Sequence, residues 1–519
     1  MLMRCAAIFA ALFFILQPYR AAAQDVTLRS RDGSVQLSGT LLGFDGEFYR
    51  IQTQYGELTV DGSGVLCDGI GCPSLTDFIA ELSVSGSASI GMVLLPALIE
   101  AFAMRDGLTA DREVIDEAHF IYHLKRRDTG QTAARFYFRV TNTDEGFADL
   151  LADEADIVMA LREIRPREAA LAREAGLGDL ADANRSRVLA LDAVVPVVMA
   201  GNPVDTISLR DLSRVLSGDL SNWQELGGPD APISLHMRNA GSGLTQGIED
   251  RLLKPDRLSL RDDVVRHETN AALVQTISRD PFGIGLTSFS DVGSTRPLTL
   301  SGTCGFQLRA ARRNIKTEDY PLTSPMFLYL PARRLPAIGR EFLAFTRSQA
   351  AQIVIRRAGF VDQAPEQIPI DLQGDRFANA VLVAEGDEGL RTLQDMVQRL
   401  TGLQRLTTSF RFEAGSARLD AQSRSNVQQL ARALEAGTYD TRRLIFVGFS
   451  DGQGPAATNL QIARRRAEAV RMAVLEAAET LDASRLTITT EAFGEAMPMA
   501  CDDTTWGRSV NRRVEVWLD

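Results

Sequence analysis

Asp451, Asn459 and Arg466 are an acid, an amide and a cation spaced so that one small site can contain all three. Asp451 lies in the loop GFSDG (448–452), whose glycines let the backbone turn tightly and approach a ligand. A helix is expected to begin at Asn459 with Thr458 as its cap. Asn459 and Arg466 are two turns apart and share a side of it. A zwitterion suits this set, with its ammonium on Asp451 and its carboxylate on the Arg466 fork. Ser450 adds a hydroxyl. A plain Asp451–Arg466 salt bridge that fixes the loop fits the same spacing. Ala463, Ala467, Val470 and Val474 form the buried stripe of this helix, so Arg465 points to solvent and Arg464 and Arg466 flank the stripe.

A second constellation suits a small oxyanion. ELSVSGSASIGMVLLPALIEAFA and PISLHMRNAGSGLTQGIEDRLL each read strand, Ser/Gly loop, helix. Such turns present free N–H groups at a helix N-terminus, which attracts an anion. Ser87, Ser89 and Ser242 add hydroxyl donors, and Arg238 adds a forked cation three residues ahead of Gly241. Gly/Ser loops also serve as ordinary strand-to-helix turns, so either loop alone is weak; the pair is stronger.

The elements that must position these residues fall into successive units. Residues 1–23 read as an export signal: Arg4, the apolar run CAAIFAALFFIL, then Ala21-Ala22-Ala23. The run is too short to span a membrane, and no later stretch is long and apolar enough. Residues 24–75 alternate in strand fashion between DG, FDG and YG turns, as a small β unit of hairpins. Residues 76–365 alternate β runs with helical segments, an α/β pattern with largely parallel sheets and length enough for two lobes. Residues 366–403 read as a linker with one helical stretch, and 404–519 as a compact mixed α/β domain. The fold class is therefore multidomain α/β.

Charge narrows the function. The chain has 67 Asp+Glu against 56 Lys+Arg, and removing Arg4 and Arg20 with the signal takes its net charge from −11 to −13. That opposes nonspecific binding to nucleic acid or anionic lipid while allowing local cationic pockets. Cys67 and Cys72, in LCDGIGCP, read as a small-loop disulfide of an oxidising compartment. Cys304 and Cys501 lie far apart, and their pairing stays open. His119 and His123 share an i,i+4 spacing without further ligands, so no metal or other cofactor is expected. There is no P-loop and no metal cluster, so no enzyme activity is expected.

Residues 405–519 resemble the OmpA-like peptidoglycan-binding domain, through GFSDGQG, NLQIARRRAEAV, GEAMP and GRSVNRRVEVW. In that family the loop Asp and the helix Arg hold the diaminopimelate side chain of the cell-wall stem peptide; they map onto Asp451 and Arg466, with Ser450 and Asn459 at neighbouring positions. Arg512 and Arg513 fall in the closing strand, where a structural role is equally open. Residues 80–362 resemble the phosphate-type substrate-binding proteins of ABC transporters, through SGSAS, EADIVMALREI, SGDLSNW, RNAGSGL and YPLTSPMFLYL. That resemblance implies a two-lobed periplasmic-binding-protein fold and an anion held by Ser89, the amide of Ile90, Arg162, Arg238, Ser242 and Gly243. Leu244 stands where the family's clamp has Thr, with Thr245 next; Thr141, Asn142 and Thr143 lie near its second serine loop.

Together these imply a periplasmic binding protein for a small oxyanion such as phosphate, in a Gram-negative-type envelope at the outer-membrane side. It would be anchored non-covalently to peptidoglycan, with an ABC permease as the family's usual partner. The alternative is a wall-linked structural protein whose middle domain has lost anion binding; Leu244 motivates it.

Overall fold

The computed structural model describes residues 25–74, 78–182, 184–384, 386–413, 416 and 418–519. The expected export signal, residues 1–23, lies outside them.

The first unit is a five-stranded antiparallel sheet, in the spatial order Gly56–Asp61, Phe48–Thr53, Gln36–Phe44, Asp25–Ser30, Val65–Asp68. Alternation explains it: Val26, Leu28, Tyr49 and Ile51 are buried together while their neighbours turn outward. Cys67 and Cys72 are joined by a disulfide. The unit docks through charge: Arg334 pairs with Asp45 at 3.0 Å and lies 4.2 Å over the Phe48 ring, and Arg340 pairs with Glu47.

The central unit has an 11-stranded sheet that runs through two lobes and a small three-stranded sheet of Thr206–Ser208, Thr299–Ser301 and Gln307–Leu308. Its spine is the strand Ser186–Val198, which pairs with Thr323–Tyr329 along Ser186–Ala193 and with Gly283–Ser288 along Val194–Val198. The run VLALDAVVPVV, buried on both faces, suits such a strand. Asp192 interrupts it. Burial raises this carboxyl to about 6, although the Ser288 and Ser290 hydroxyls donate to it. The expectation of largely parallel sheets needs correction, because the sheet is mixed. Leu108–Val114, His119–Arg126 and Thr132–Thr141 are joined by short turns and so run antiparallel, and the spine is antiparallel to both of its long neighbours. His119 and His123 lie on one of these strands, each beside a carboxylate, Asp116 or Glu113.

The last unit is a five-stranded sheet covered on both faces. Helices Ala421–Glu435 and Ala456–Ala477 bury Val427, Leu430, Ala467 and Val470 against one face. Helix Gly386–Leu400 buries Leu393 and Met396 against the other. The stretch 366–403, read as a linker, thus supplies that covering helix and the edge strand Gln367–Pro369. The arginine helix begins at Ala456, three residues before its expected start, because Pro455 and two alanines already favour the first turn.

The junction between the last two units is tight. Met499, Ala500, Cys501 and Val510 join the apolar core of the two lobes. Cys304 of the second lobe is disulfide-bonded to Cys501, 197 residues away. The Trp506 indole donates to the Pro321 carbonyl at 2.7 Å, and the Thr505 hydroxyl to Asp256 at 2.8 Å.

Candidate functional site

In the first lobe, Ala80–Ser87 runs parallel to both Thr132–Thr141 and Ile157–Ala160, so the carboxyl ends of all three strands open onto one edge. That edge is where ligands sit in open α/β sheets. Gly86 holds φ +127°, and a Cβ there would stand 2.3 Å from the Met159 carbonyl oxygen, so only glycine fits. Ser89 is half-buried at the following helix start, and the Ile90 side chain is buried in the core. Ser87 stands beside Thr141 in the ladder. The Thr141 hydroxyl is buried without a partner among the described residues. Asn142 then caps the helix Thr143–Leu151, accepting from the Glu145 amide at 3.0 Å.

The second lobe presents a matching edge. Arg238 ends the strand Ser234–Arg238 and donates from Nη1 to Asn270 at 3.1 Å. Its Nε is buried with no acceptor among the described residues, and burial lowers its pKa. Continuing the His236–Gly285 register by two residues puts Arg238 beside Thr287, whose buried hydroxyl also has no partner among the described residues. Ser242 and Gly243 follow at the next helix start.

These edges meet. A Cβ on Gly243 would lie 2.3 Å from Thr143 Oγ1, and one on Gly241 3.7 Å from Asn142 Nδ2. The lobes are therefore closed, with the Ser242 loop seated on the Asn142 turn.

Arg162 is placed differently. All five of its N–H groups have acceptors: Asp144, Glu168 twice, the Glu163 carbonyl and, at 3.2 Å, Gln246. Asp144 also accepts from Gln246 Nε2 at 2.6 Å, so it latches the first lobe to the second. Arg165 and Asp250 form a further cross-lobe pair at 3.1 Å. Leu244 is buried, and the Thr245 hydroxyl donates to the Arg238 carbonyl at 3.1 Å, so neither side chain supplies the missing hydroxyl.

In the last unit, Asp451 pairs with Arg512 at 2.8 Å. Arg466 is half-buried and has no hydrogen bond or ion pair among the described residues; its guanidinium lies 5.2 Å from the Phe412 ring centre. Burial, then the Arg512 charge, lower its pKa against the opposing pull of Asp451, which places the three charges in one field. The Ser450 hydroxyl is buried without a partner among the described residues. Asn459 is buried and donates to Glu495 at 2.9 Å. Arg464 and Arg465 are exposed. Arg513 is buried, donating to Glu515 at 2.8 Å and to the Met497 carbonyl at 2.9 Å. A Cβ on Gly448 would stand 2.1 Å from the Ala463 carbonyl oxygen, so glycine lets the loop strand pack on the arginine helix.

Sequence reasoning missed Asp144 and Thr287, and left the role of Arg512 open. Asn142 carried a readable sign: an Asn cap followed by Asp144 and Glu145 in the first turn marks a helix start.

A model of the PBP superfamily domain matches residues 79–350, and a model of the OmpA family matches residues 411–512. Protein SphX of Synechococcus elongatus is 27% identical over 270 residues, which cover 48% of this chain and 78% of that protein. Probable lipoprotein YiaD of Escherichia coli is 31% identical over 107 residues, covering 21% of this chain and 46% of that one. Among solved structures, an ABC-type phosphate transport receptor from Vibrio cholerae aligns over 54% of this chain and 99% of its own, at 19% identity and a TM-score of 0.41.

Proposed function

Because the chain belongs to the PBP superfamily and carries an OmpA-family domain, we propose that it is an exported envelope protein that encloses a small oxyanion such as phosphate between its lobes and holds peptidoglycan through its last domain. It binds and does not catalyse. The observation that carries the anion reading is a pair of donors on facing lobes, the Thr141 hydroxyl and Arg238 Nε, each buried without a protein partner. An anion between them would supply the acceptors they lack. Ser89, the Ile90 main chain, Ser242 and Gly243 belong to the helix starts that face this space, where peptide N–H groups favour negative charge. Arg162 acts indirectly, by holding Asp144 in the latch.

In the last domain, Arg466 is a cation without a carboxylate, and Asp451 shares its charge with Arg512. A diaminopimelate carboxylate takes Arg466, its ammonium takes Asp451, the Ser450 hydroxyl adds a donor, and Asn459 positions Glu495 at the rim. A receptor fixed to the wall diffuses poorly, which suits local capture or sensing better than delivery to a permease.

The test is calorimetry of the full chain with phosphate, sulfate and arsenate, alongside retention on purified sacculi. Arg238→Ala should weaken anion binding by ~30-fold or more and leave retention intact; Asp451→Ala should do the reverse. Absence of heat with every anion would leave the scaffold reading. The saturated Arg162 and the buried Leu244 favour that second reading.

A further inference from the structure

A cavity of about 440 Å³ lies where both lobes and the last domain meet. That volume is within the range of small-ligand pockets. Its walls come from Glu163 of the first lobe, Arg251 of the second, Tyr320 of the turn before the strand Thr323–Tyr329, and Gln422, Trp506 and Arg512 of the last domain. Two polar atoms in these walls are buried and lack any partner among the described residues: the Tyr320 hydroxyl and Gln422 Oε1. Tyr320 is fully buried and Gln422 is 3% exposed, so bulk water does not satisfy them. One is a donor and the other an acceptor, the pair that a peptide group needs.

The charges are mixed. Arg251 lies 5.5 Å over the Trp506 ring and spends Nη1 on the Thr323 carbonyl at 2.9 Å. Glu163 lines the cavity; burial, then the Asp420 charge, raise its pKa. The cavity adjoins the Asp451 clamp through two shared residues. Arg512 lines it and pairs with Asp451, while Phe412 lines it and packs beneath Arg466.

We propose that this cavity receives the peptide that continues from the clamped diamino acid, so that the protein reads a wall stem as a peptide and not as a lone zwitterion. Tyr320 and Gln422 meet a peptide C=O and N–H, Arg251 and Arg512 meet a carboxylate, and the Trp506 face takes an aliphatic side chain. The inference rests on the wall-binding reading above, and it implies that the fused lobes contribute to wall recognition.

The test compares the full chain's affinity for meso-diaminopimelate with its affinity for the tripeptide L-Ala-γ-D-Glu-meso-diaminopimelate, by calorimetry. The tripeptide is expected to bind at least ~10-fold tighter. Tyr320→Phe removes a hydroxyl that makes no native bond, so it should fold normally, which its Tm would confirm. It should lose most of the tripeptide's advantage while keeping diaminopimelate affinity. Equal affinities for the two ligands, or a variant that binds the tripeptide like the parent, would overturn the cavity's role and leave the clamp standing. Failure of both ligands would overturn the wall reading, and this inference with it.

Discussion

Arg405 and Asp319 form a buried ion pair across the boundary between the central unit and the last sheet. Arg405 Nη2 donates to Asp319 Oδ1 at 2.9 Å, and both side chains are at most 4% exposed. Burial alone would raise the Asp319 carboxyl, but the Arg405 and Arg376 charges more than offset it and hold the group below the usual carboxylate range. Glu515 extends the network, pairing with Arg405 at 3.2 Å and with Arg513 at 2.8 Å.

Breaking this pair should destabilise the whole chain. Arg405→Met removes the closest cation of Asp319 and leaves Arg376 at 3.8 Å as its remaining ion-pair partner, and a buried pair that loses one partner costs about 3–5 kcal/mol. Guanidinium unfolding of the full chain, followed by tryptophan fluorescence, reads the change. A loss below ~1 kcal/mol would mean that the network orders the junction without stabilising it.

Closure of the lobes depends on the absence of a side chain at Gly243. In Gly243→Ala the new methyl would stand 2.3 Å from Thr143 Oγ1, too close to coexist with it, and parting of the lobes is the expected relief. Small-angle scattering should show a larger radius of gyration, and anion affinity should fall by ~10-fold or more. Unchanged scattering would show that the Asn142 turn yields instead.

Stability should fall between mildly acidic and alkaline pH, and Glu318 is the reason. Burial raises this carboxyl from the ordinary 4.5 to about 8, with Arg411 only partly opposing. The folded chain therefore holds a proton that the unfolded chain has released, and stability declines as pH rises. The contribution is full below about 4.5 and lost as pH climbs through about 8. Glu318→Gln should flatten the profile and raise the Tm at pH ~9, on the order of a few kcal/mol of stability. A parent and variant with parallel Tm profiles from pH ~5 to ~9 would contradict this assignment.

Features encoded within one short stretch were legible in the sequence. The arginine helix shows its buried stripe directly, and Ala463, Ala467, Val470 and Val474 are all buried. Cys67 and Cys72 are close enough in sequence for their disulfide to be read from the loop. Features that depend on distant partners were not legible. The partner of Asp451 is Arg512, 61 residues on, and not the Arg466 on the nearby helix. Arg162 looks like a free anion ligand until the fold brings Asp144 to it from 18 residues upstream. The helix 386–400 reads as part of a linker because its apolar stripe has meaning only once a sheet face lies beneath it.

The bond between Cys304 and Cys501 sets the path of mechanical load. Tension applied at a murein clamp on Asp451 would otherwise travel back along the chain through the last sheet. The cross-link lets it pass directly into the second lobe, bypassing the residues between the two cysteines. The second lobe is thereby made part of any mooring, and the first lobe, with the small β unit it carries, is held to it by the Asp144 latch.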